Sequence, residues 1–566
     1  MAFQWGFTRR HQRRPRPTPF PTRMRRCSLL ALGITLSVLS GCKPDDVVQP
    51  HTVAQTSGAD LADVSDPTPS TIALEHLTSL AGPGPVAAEI TTFDRVSQRL
   101  FVANATFRTM DVYDMKDPAA PGKLATIDLS SFGSSVNSVA AYGGVVAVAV
   151  QGPLKTDAGT IVFYRATTLQ QVSSVTVGAL PDMVAFTPDG KTVLVANEGE
   201  PNDAYTIDPE GSVSVIDIHN INAPLARTAS FVGYNGKEDV LRAAGIRIFG
   251  PNASAAQDFE PEYITTDASG RTAYVTLQEN NAIAIVDLAS ASVQQVVPLG
   301  YKDHSVVPLD VSDWDGPGNG PAINITTWPV PLFGMYQPDG IASYTVAGRT
   351  YLVTANEGDS RSWAGLTEDV RASALPHPLN PNIFTNTACG GSCTSNARLG
   401  RLTVTSTMGL NPETNQYDAL YAFGGRSFSI WDENGNQVWD SGAEFEQRTT
   451  SLSMVNFNAD EEGNDPDNRS DNKGPEPEGV AVARLGAKTF AFVGLERVGG
   501  IMVYDVTSPA SPSFVTYANT RNGATGDRAP EGIVFVPAVD SPNKHPLLIV
   551  GNEASGSVAV FQIVLQ

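Results

Sequence analysis

The chain has 566 residues, with 38 Lys and Arg against 59 Asp and Glu, a formal net charge of -21. Its 50 Gly and 40 Pro predict frequent turns, too many for a helical bundle and too few for a disordered or collagen-like chain. The excess of acid argues against nucleic-acid binding, which needs clustered Lys and Arg opposite phosphates. The length indicates several domains or one large repeat architecture.

The first 42 residues have the features of an export signal. They contain eight arginines and no acid, and residues 29–39 form an apolar run. This run is shorter than the ~20 residues of a membrane span, and Leu39-Ser-Gly-Cys42 is typical of a lipoprotein signal with an acylated cysteine. We predict an upstream extension, a signal at 24–41 and lipidation of Cys42. An ordinary signal peptide and a single membrane span are the alternatives.

Two segments follow the signal. Residues 43–71 are predicted to be a flexible tether, because they are polar and contain many Pro, Ser, Thr and Asp residues. Residues 72–566 are predicted to form one folded domain. The protein would then be an exported lipoprotein of the bacterial cell envelope, at the outer membrane or cell surface, with the membrane as a partner through its lipid anchor.

Short apolar runs recur through residues 72–566. Thr192-Val-Leu-Val-Ala-Asn-Glu198 and Ala419-Leu-Tyr-Ala-Phe-Gly424 are two of about eight such runs, each interpreted as a blade strand, and most are followed by a second run that ends in an acid. Several are preceded by a strand that opens with Pro and an acid, and turns such as Thr187-Pro-Asp-Gly190 join the two strands. Repeated short strands without intervening helices predict an all-β fold, a single β-propeller of seven or eight four-stranded blades.

Five units carry two acids each at equivalent positions. In a propeller the start of the innermost strand and the loop after the second strand lie on one face, so these acids should converge there. Converging carboxylates need cations or protons, and oxygen-rich sites suit Ca²⁺ or Mg²⁺. The predicted metal ligands are Asp182, Glu198, Glu262, Glu279, Asp339, Glu357, Glu478, Glu496, Glu531 and Glu553. The alternative is that these acids accept hydrogen bonds from backbone N–H groups at strand ends.

Long insertions are predicted on the same face. Long loops on a rigid scaffold are where binding and chemistry concentrate. Residues 236–249 have the spacing of a short amphipathic helix. Residues 458–471 are dense in Asp, Asn and Glu without matching the EF-hand spacing, so they could wrap a cation or remain solvated. The four insertions are residues 233–259, 300–337, 358–397 and 443–475.

Arginines beside these acids are candidates for binding an anionic substrate. Arg361, Arg497 and Arg528 could offset the charge on phosphoester oxygens, with pairing to neighbouring carboxylates as the alternative. Cys389 and Cys393 enclose a tight loop in an exported chain, so a local disulfide is predicted, with a metal or redox site as the alternative. No motif identifies a catalytic residue.

Several strings resemble the choice-of-anchor I family of exported bacterial propellers with YVTN/WD40-like blades. They are Leu352-Val-Thr-Ala-Asn-Glu-Gly-Asp-Ser-Arg361, Gly233-Tyr-Asn-Gly-Lys237, Phe259-Glu-Pro-Glu262, Asn472-Lys-Gly-Pro-Glu-Pro-Glu-Gly-Val480 and Arg528-Ala-Pro-Glu-Gly532. The resemblance spans roughly residues 72–566 and implies the fold and a surface location. Some members are described as alkaline phosphatases or esterase-like phytases, and others only as surface glycoproteins.

Two function classes follow from these observations. The favoured one is a non-catalytic surface module that uses cations for rigidity and its insertions to bind a partner or glycan. The other is a Ca²⁺-dependent phosphoester hydrolase, alkaline phosphatase-like or phytase-like, in which carboxylates hold the metal and arginines hold phosphate. A quinoprotein-like redox role is a distant third, since its tryptophan pattern occurs once, at 431–439.

Overall fold

The computed structural model describes residues 57–59, 68–85, 87–451 and 456–566. The predicted signal, Cys42 and most of the predicted tether lie outside these residues. Seven of the sheets within them are called blades 1 to 7, and each blade contains four antiparallel strands. The second strand of a blade is buried along almost its whole length, as in Thr192–Asn197, because neighbouring blades cover both of its faces. This explains its continuous apolar sequence.

Blades 1 to 4 each use four strands in chain order, from the innermost to the outermost. Blade 1 contains Thr91–Asp94, Arg99–Asn104, Thr109–Asp114 and Gly122–Asp128. Blade 2 contains Ser135–Tyr142, Val145–Gln151, Ala158–Arg165 and Gln171–Ala179. Blade 3 contains Pro181–Phe186, Thr192–Asn197, Ser212–Asp217 and Leu225–Ser230. Blade 4 contains Pro261–Thr266, Thr272–Leu277, Ala282–Asp287 and Ser292–Pro298.

Blades 5 to 7 complete the set. Blade 5 contains Ile341–Val346, Arg349–Asn356, Ser427–Asp432 and Gln437–Asp440, with Ser57–Ala59 paired in parallel to its inner strand. Blade 6 contains Pro477–Leu485, Lys488–Leu495, Ile501–Asp505 and Ser513–Ala518. Blade 7 contains Pro530–Val536, Leu547–Asn552 and Ser557–Leu565, and its outermost strand is the early segment Ile72–Ala81. One blade therefore joins the two ends of the described domain.

The blades form a closed ring. Each inner strand contacts the inner strand of the next blade, and that of blade 7 contacts that of blade 1. The hydrophobic core is accordingly divided into layers between neighbouring blades. Between blades 5 and 6, for example, the rings of Phe428 and Tyr504 lie 4.7 Å apart. Burial of such layers is the main favourable contribution to stability.

The insertions carry a further sheet outside the ring. Its five strands, in sheet order, are Tyr301–Asp303, Leu332–Met335, Leu420–Ala422, Thr403–Thr405 and Asp369–Arg371. Two short hairpins accompany it, Ser362–Trp363 with Leu366–Thr367 and Leu410–Asn411 with Gln416–Tyr417. The apolar run 419–424, interpreted from sequence as a blade strand, lies in this sheet because its strand pairs with two other inserted strands. Seven blades are observed, the lower of the two predicted numbers.

Short helices occur in the same insertions. The α-helices are α1 at Glu238–Ala243, α2 at Ala255–Asp258 and α3 at Glu444–Thr449, and the 3₁₀ turns are Val232–Tyr234, Ala372–Ala374 and Leu399–Arg401. The helix predicted within residues 236–249 is α1, which buries Leu241 and leaves Val240 exposed. None of the helices in the described part of the chain is long and apolar enough to cross a membrane.

Candidate metal centre

The paired acids start from the same edge of their blades. In blade 3, Pro181 pairs with Asn197, so Asp182 and Glu198 follow at that edge. Equivalent pairs in blades 4, 6 and 7 are Pro261 with Leu277, Pro477 with Leu495 and Pro530 with Asn552. The start of each inner strand faces the central channel, so the first acid of each pair lies at one channel mouth.

The backbone is distorted where these acids emerge. The strand register shifts directly after the proline, as between Pro181 and Val184. The residue before the proline has a positive φ in four blades, at Leu180 (47°), Gln337 (42°), Glu476 (51°) and Ala529 (57°). A non-glycine residue in this region costs on the order of 1–3 kcal/mol. Such strain clusters at functional sites, and here it recurs at one position of the repeat.

Six carboxylates form what we call the acid ring: Glu89, Asp182, Glu262, Asp339, Glu478 and Glu531. Blade 2 has Asn137 at this position, and its side-chain amide donates to the Pro181 carbonyl at 3.2 Å. All six acids are half-buried. Among the described residues, no Lys, Arg or His nitrogen lies within 4.0 Å of a ring carboxylate.

The environment of the ring disfavours ionised carboxylates. Burial, followed by repulsion from Glu553 and Asp182, raises the pKa of Glu89 to about 8. Burial and then Glu200 raise the pKa of Asp182 to about 7. The same causes, burial first and neighbouring acids second, raise the pKa values of Glu262, Asp339, Glu478 and Glu531 well above their usual range. A bound cation would reverse these shifts.

Apolar side chains lie on the other side of the ring. Ile90, Met183, Ile341 and Val480 line the channel next to the acids. These four side chains offer the carboxylates no hydrogen bonds. The buried Oε2 of Glu478 has no hydrogen-bond partner among the described residues. The acid ring thus combines closely spaced carboxylates with a buried oxygen atom that accepts no hydrogen bond from the described residues.

The second acids of the pairs divide into two groups. Glu357 accepts from Lys473 at 2.6 Å, and Glu496 contacts Arg497 at 3.0 Å. In the described part of the chain, no ion pair reaches Glu198, Glu279 or Glu553. The protein therefore neutralises the second acids of blades 5 and 6 with its own side chains.

Two groups of three acids have oxygen atoms within 4.8 Å of one another: Asp339, Glu357 and Glu478, and Glu357, Glu476 and Glu496. In the second group, Glu476 already contacts Arg469, Lys473 and Arg497. The first group has Lys473 as its one cation among the described residues, and only at Glu357. The first group is the better candidate for a divalent ion, since three carboxylates converge on it with a single positive charge.

The three arginines predicted to bind substrate are largely engaged within the protein. Arg361 is 2% exposed and pairs with Asp258 and with Glu260 at 2.9 Å. Arg497 pairs with Glu461, Glu476 and Glu496. Arg528 donates to the backbone carbonyl of Glu461 at 2.9 Å, and its buried Nε has no partner among the described residues. These contacts favour the alternative reading of Arg361 and Arg497, pairing with neighbouring carboxylates.

Cys389 and Cys393 are joined by a disulfide with an S–S distance of 2.03 Å. Both residues are buried in the core of the inserted sheet, beside Leu399 and Leu402. The bond therefore closes a small loop within the insertion at 358–397.

Sequence reasoning missed two members of the site. Glu89 stands two residues before Thr91, the first paired residue of blade 1, as Asp182 stands two before Val184. Ala88 occupies the place of the proline, so the Pro-acid signal was absent, and only the spacing could have identified Glu89. Glu476 was missed because its neighbours in sequence do not indicate that it is buried or that it forms ion pairs with three basic residues.

Two solved structures resemble this chain at low sequence identity. The β-propeller domain of Cps50 (Swd1) from Myceliophteria thermophila is 8% identical, covers 86% of this chain and 99% of that chain, and gives a TM-score of 0.40. Hydrazine synthase from Kuenenia stuttgartiensis is 12% identical, covers 86% of this chain and 97% of that chain, and gives 0.44. The β-propeller fold follows from the closed ring of seven blades.

Two proteins are similar to this chain in sequence. Gigasin-3a of Magallana gigas is 31% identical over 186 residues, 30% of this chain and 65% of that protein. The mesenchyme-specific cell surface glycoprotein of Strongylocentrotus purpuratus is 28% identical over 389 residues, 62% of this chain and 48% of that protein. The chain thus spans about half to two thirds of the length of these relatives.

The choice-of-anchor I domain matches residues 89–509, which include all of blades 1 to 5 and most of blade 6. The match covers most of the ring and all four insertions. The chain therefore belongs to the choice-of-anchor I family.

Proposed function

We propose that the protein is a cell-surface binding module whose channel mouth holds a divalent cation, Ca²⁺ or Mg²⁺, on Asp339, Glu357 and Glu478. The observation that carries this proposal is the convergence of these three carboxylates, with oxygens within 4.8 Å, inside a ring of acids. Carboxylate oxygens are the ligands both ions prefer. The cation would keep the ring ionised and fix the inner strands of blades 5 and 6.

The location of the proposed module follows from its family, since a choice-of-anchor domain is typical of an exported surface protein. Attachment through a lipid on Cys42 is our proposal for its anchor, at the outer membrane or cell surface. The insertions around the channel mouth would provide the contact surface for a partner. Rigidity of that surface would then depend on the cation.

The hydrolase alternative receives less support. A phosphoester needs free cationic groups to offset the charge on its oxygens, whereas Arg361 and Arg497 are held by carboxylates. We therefore place binding ahead of catalysis. An enzyme of this class would have to rely on the metal and Arg528.

Calorimetric titration of the full-length chain tests the proposal. The protein is stripped with chelator and titrated with Ca²⁺ or Mg²⁺, alongside D339N/E478Q and the control D287N, which changes a partly exposed acid of blade 4. We expect the control to bind like the wild type and the double variant to lose the channel-mouth site. Equal binding by all three proteins would refute the proposed site.

A further inference from the structure

A second cluster of acids, none of them a member of the acid ring, lies between two insertions. Asp310 is fully buried and Asp467 is 2% exposed, while Asp315 is partly exposed. Asp310 and Asp315 belong to the insertion at 300–337, and Asp467 to the insertion at 443–475. The acid-rich stretch 458–471 thus turns some of its carboxylates, including Asp467, into the protein rather than toward solvent.

Residues 322–324 connect the three acids. The backbone N–H of Asn324 donates to Asp310 at 2.5 Å, and its side-chain amide donates to Asp315 at 2.9 Å. The backbone N–H of Ala322 donates to Asp467 at 3.1 Å. One short segment therefore gathers three carboxylates, and N–H donors of this kind stabilise the ionised form.

No cation in the described part of the chain forms an ion pair with this cluster. Among the described residues, no Lys, Arg or His nitrogen lies within 4.0 Å of the carboxylates of Asp310, Asp315 or Asp467, whereas the nearby Asp313 and Asp471 both pair with Arg401. Arg426 comes close, but it donates to the backbone carbonyl of Asp310 and to the carboxylate of Glu446. Burying ionised carboxylates without a counter-ion costs free energy.

Unused oxygen atoms provide an independent observation. Asn458 is fully buried, and its Oδ1 has no hydrogen-bond partner in the described part of the chain, while its amide nitrogen donates to Ser470 and to Glu446, both at 2.8 Å. Ser470 in turn donates to Asp467, which places Asn458 beside the cluster. The buried Oδ1 of Asp315 also has no partner among the described residues. A side-chain amide oxygen is a normal Ca²⁺ ligand.

We propose that Asp310, Asp315 and Asp467 bind a structural Ca²⁺ that joins the insertion at 300–337 to the insertion at 443–475. Ca²⁺ takes six to eight oxygen ligands in flexible geometry, including backbone carbonyls and side-chain amides. The three acids are not all within 4.8 Å of one another, so binding requires their side chains to rotate toward the ion. This site is separate from the channel mouth.

Terbium luminescence tests the proposal, because Tb³⁺ replaces Ca²⁺ and is excited through a nearby tryptophan. Trp314 is adjacent to Asp315 and 41% exposed. The full-length chain is titrated with Tb³⁺ under tryptophan excitation, and bound Ca²⁺ is counted after dialysis. We expect D315N and D467N to weaken Tb³⁺ binding by about tenfold or more and to hold one Ca²⁺ fewer per chain.

Two further variants separate the possible outcomes. W314F should lose the emission but retain the Ca²⁺ count, and D339N/E478Q should retain the emission even if the channel-mouth site is lost. D315N alters a partly exposed residue, so we expect this variant to fold. A native circular dichroism spectrum checks that expectation. Unchanged emission and an unchanged Ca²⁺ count in both D315N and D467N would overturn the proposal.

Discussion

The ammonium group of Lys473 lies 2.6 Å from Oε1 of Glu357 and 3.0 Å from Oε2 of Glu476. Burial disfavours the charged lysine, but the surrounding acids, Glu357 first, outweigh burial and raise the pKa of Lys473 well above its usual value. The protein thus carries its own cation at one side of the channel mouth. The acid ring beside it has none among the described residues, and Glu357 belongs both to the contacts of Lys473 and to the proposed metal site.

Replacing Lys473 with Met should destabilise the protein strongly. The substitution removes the positive charge between Glu357 and Glu476, and loss of one partner of a buried pair costs about 3–5 kcal/mol. Urea unfolding measures the loss. K488Q, which breaks the more exposed pair of Lys488 with Asp505 at 3.2 Å, should cost about 1 kcal/mol or less. Equal losses in the two variants would contradict the buried role of Lys473.

Stability without divalent ions should fall as the pH rises from about 4.5 to about 8. The pKa values of Glu89 and Asp182 are raised to about 8 and about 7 from 4.5 and 3.8. The folded state therefore binds more protons than the unfolded state in this window, and this contribution to stability is lost as the pH passes the folded pKa values. Melting temperatures measured in chelator should show the fall.

The variant E89Q/D182N checks the origin of this pH dependence. Its melting temperature should decline less steeply between pH 5 and 8, since two of the shifted groups no longer titrate. Saturating Ca²⁺ should also flatten the wild-type curve, because the cation competes with protons for the ring. A variant slope as steep as that of the wild type would place the titration elsewhere.

Substituting Arg361 with Lys should destabilise the contact between two insertions. The guanidinium groups of Arg247 and Arg361 lie 4.1 and 4.5 Å from the ring of Phe249. A lysine at position 361 cannot replace both this stacking and the forked contacts with Asp258 and Glu260. We expect a loss of about 3 kcal/mol in chemical unfolding. R242K, which alters an exposed pair with Asp239, should change stability by less than about 1 kcal/mol.

Removing the disulfide should have a moderate effect. Cys389 and Cys393 are separated by four positions, and closing so short a loop contributes about 2 kcal/mol in the chain-entropy account. C389A/C393A should unfold at lower denaturant concentration than the oxidised wild type. Reductant should lower the stability of the wild type and leave the variant unchanged. A wild type that is insensitive to reductant and matches the variant would show that the bond contributes nothing.

Much of the fold could be predicted because the blade repeat is local. Each unit places a buried second strand and its turns within a short stretch, so strand runs such as Thr192–Asn197 can be recognised individually. The sequence leaves the blade number at seven or eight because two of the repeat units, one of them containing the run at 419–424, lack the Pro-acid opening. The place of this run in the inserted sheet depends on pairing with Leu332–Met335, far away in sequence.

The candidate site was only partly predictable. Repeat spacing identified five acids of the ring, but not Glu89, where Ala88 replaces the proline. Partners of the cations could not be inferred, because Arg361 and Asp258 are 103 residues apart and Lys473 and Glu357 are 116 apart. Such pairs depend on how the insertions pack over the ring, which no local pattern specifies.

The most direct test of the metal centre is a crystal structure of the protein grown with Mn²⁺, an ion that accepts the same oxygen ligands as Ca²⁺ and Mg²⁺. Its anomalous scattering locates the bound ion independently of the refined side chains. We predict an anomalous peak at the channel mouth, in contact with carboxylate oxygens of Asp339, Glu357 and Glu478. Ordered ring side chains with no peak between them would contradict the proposed cation-binding role of the acid ring.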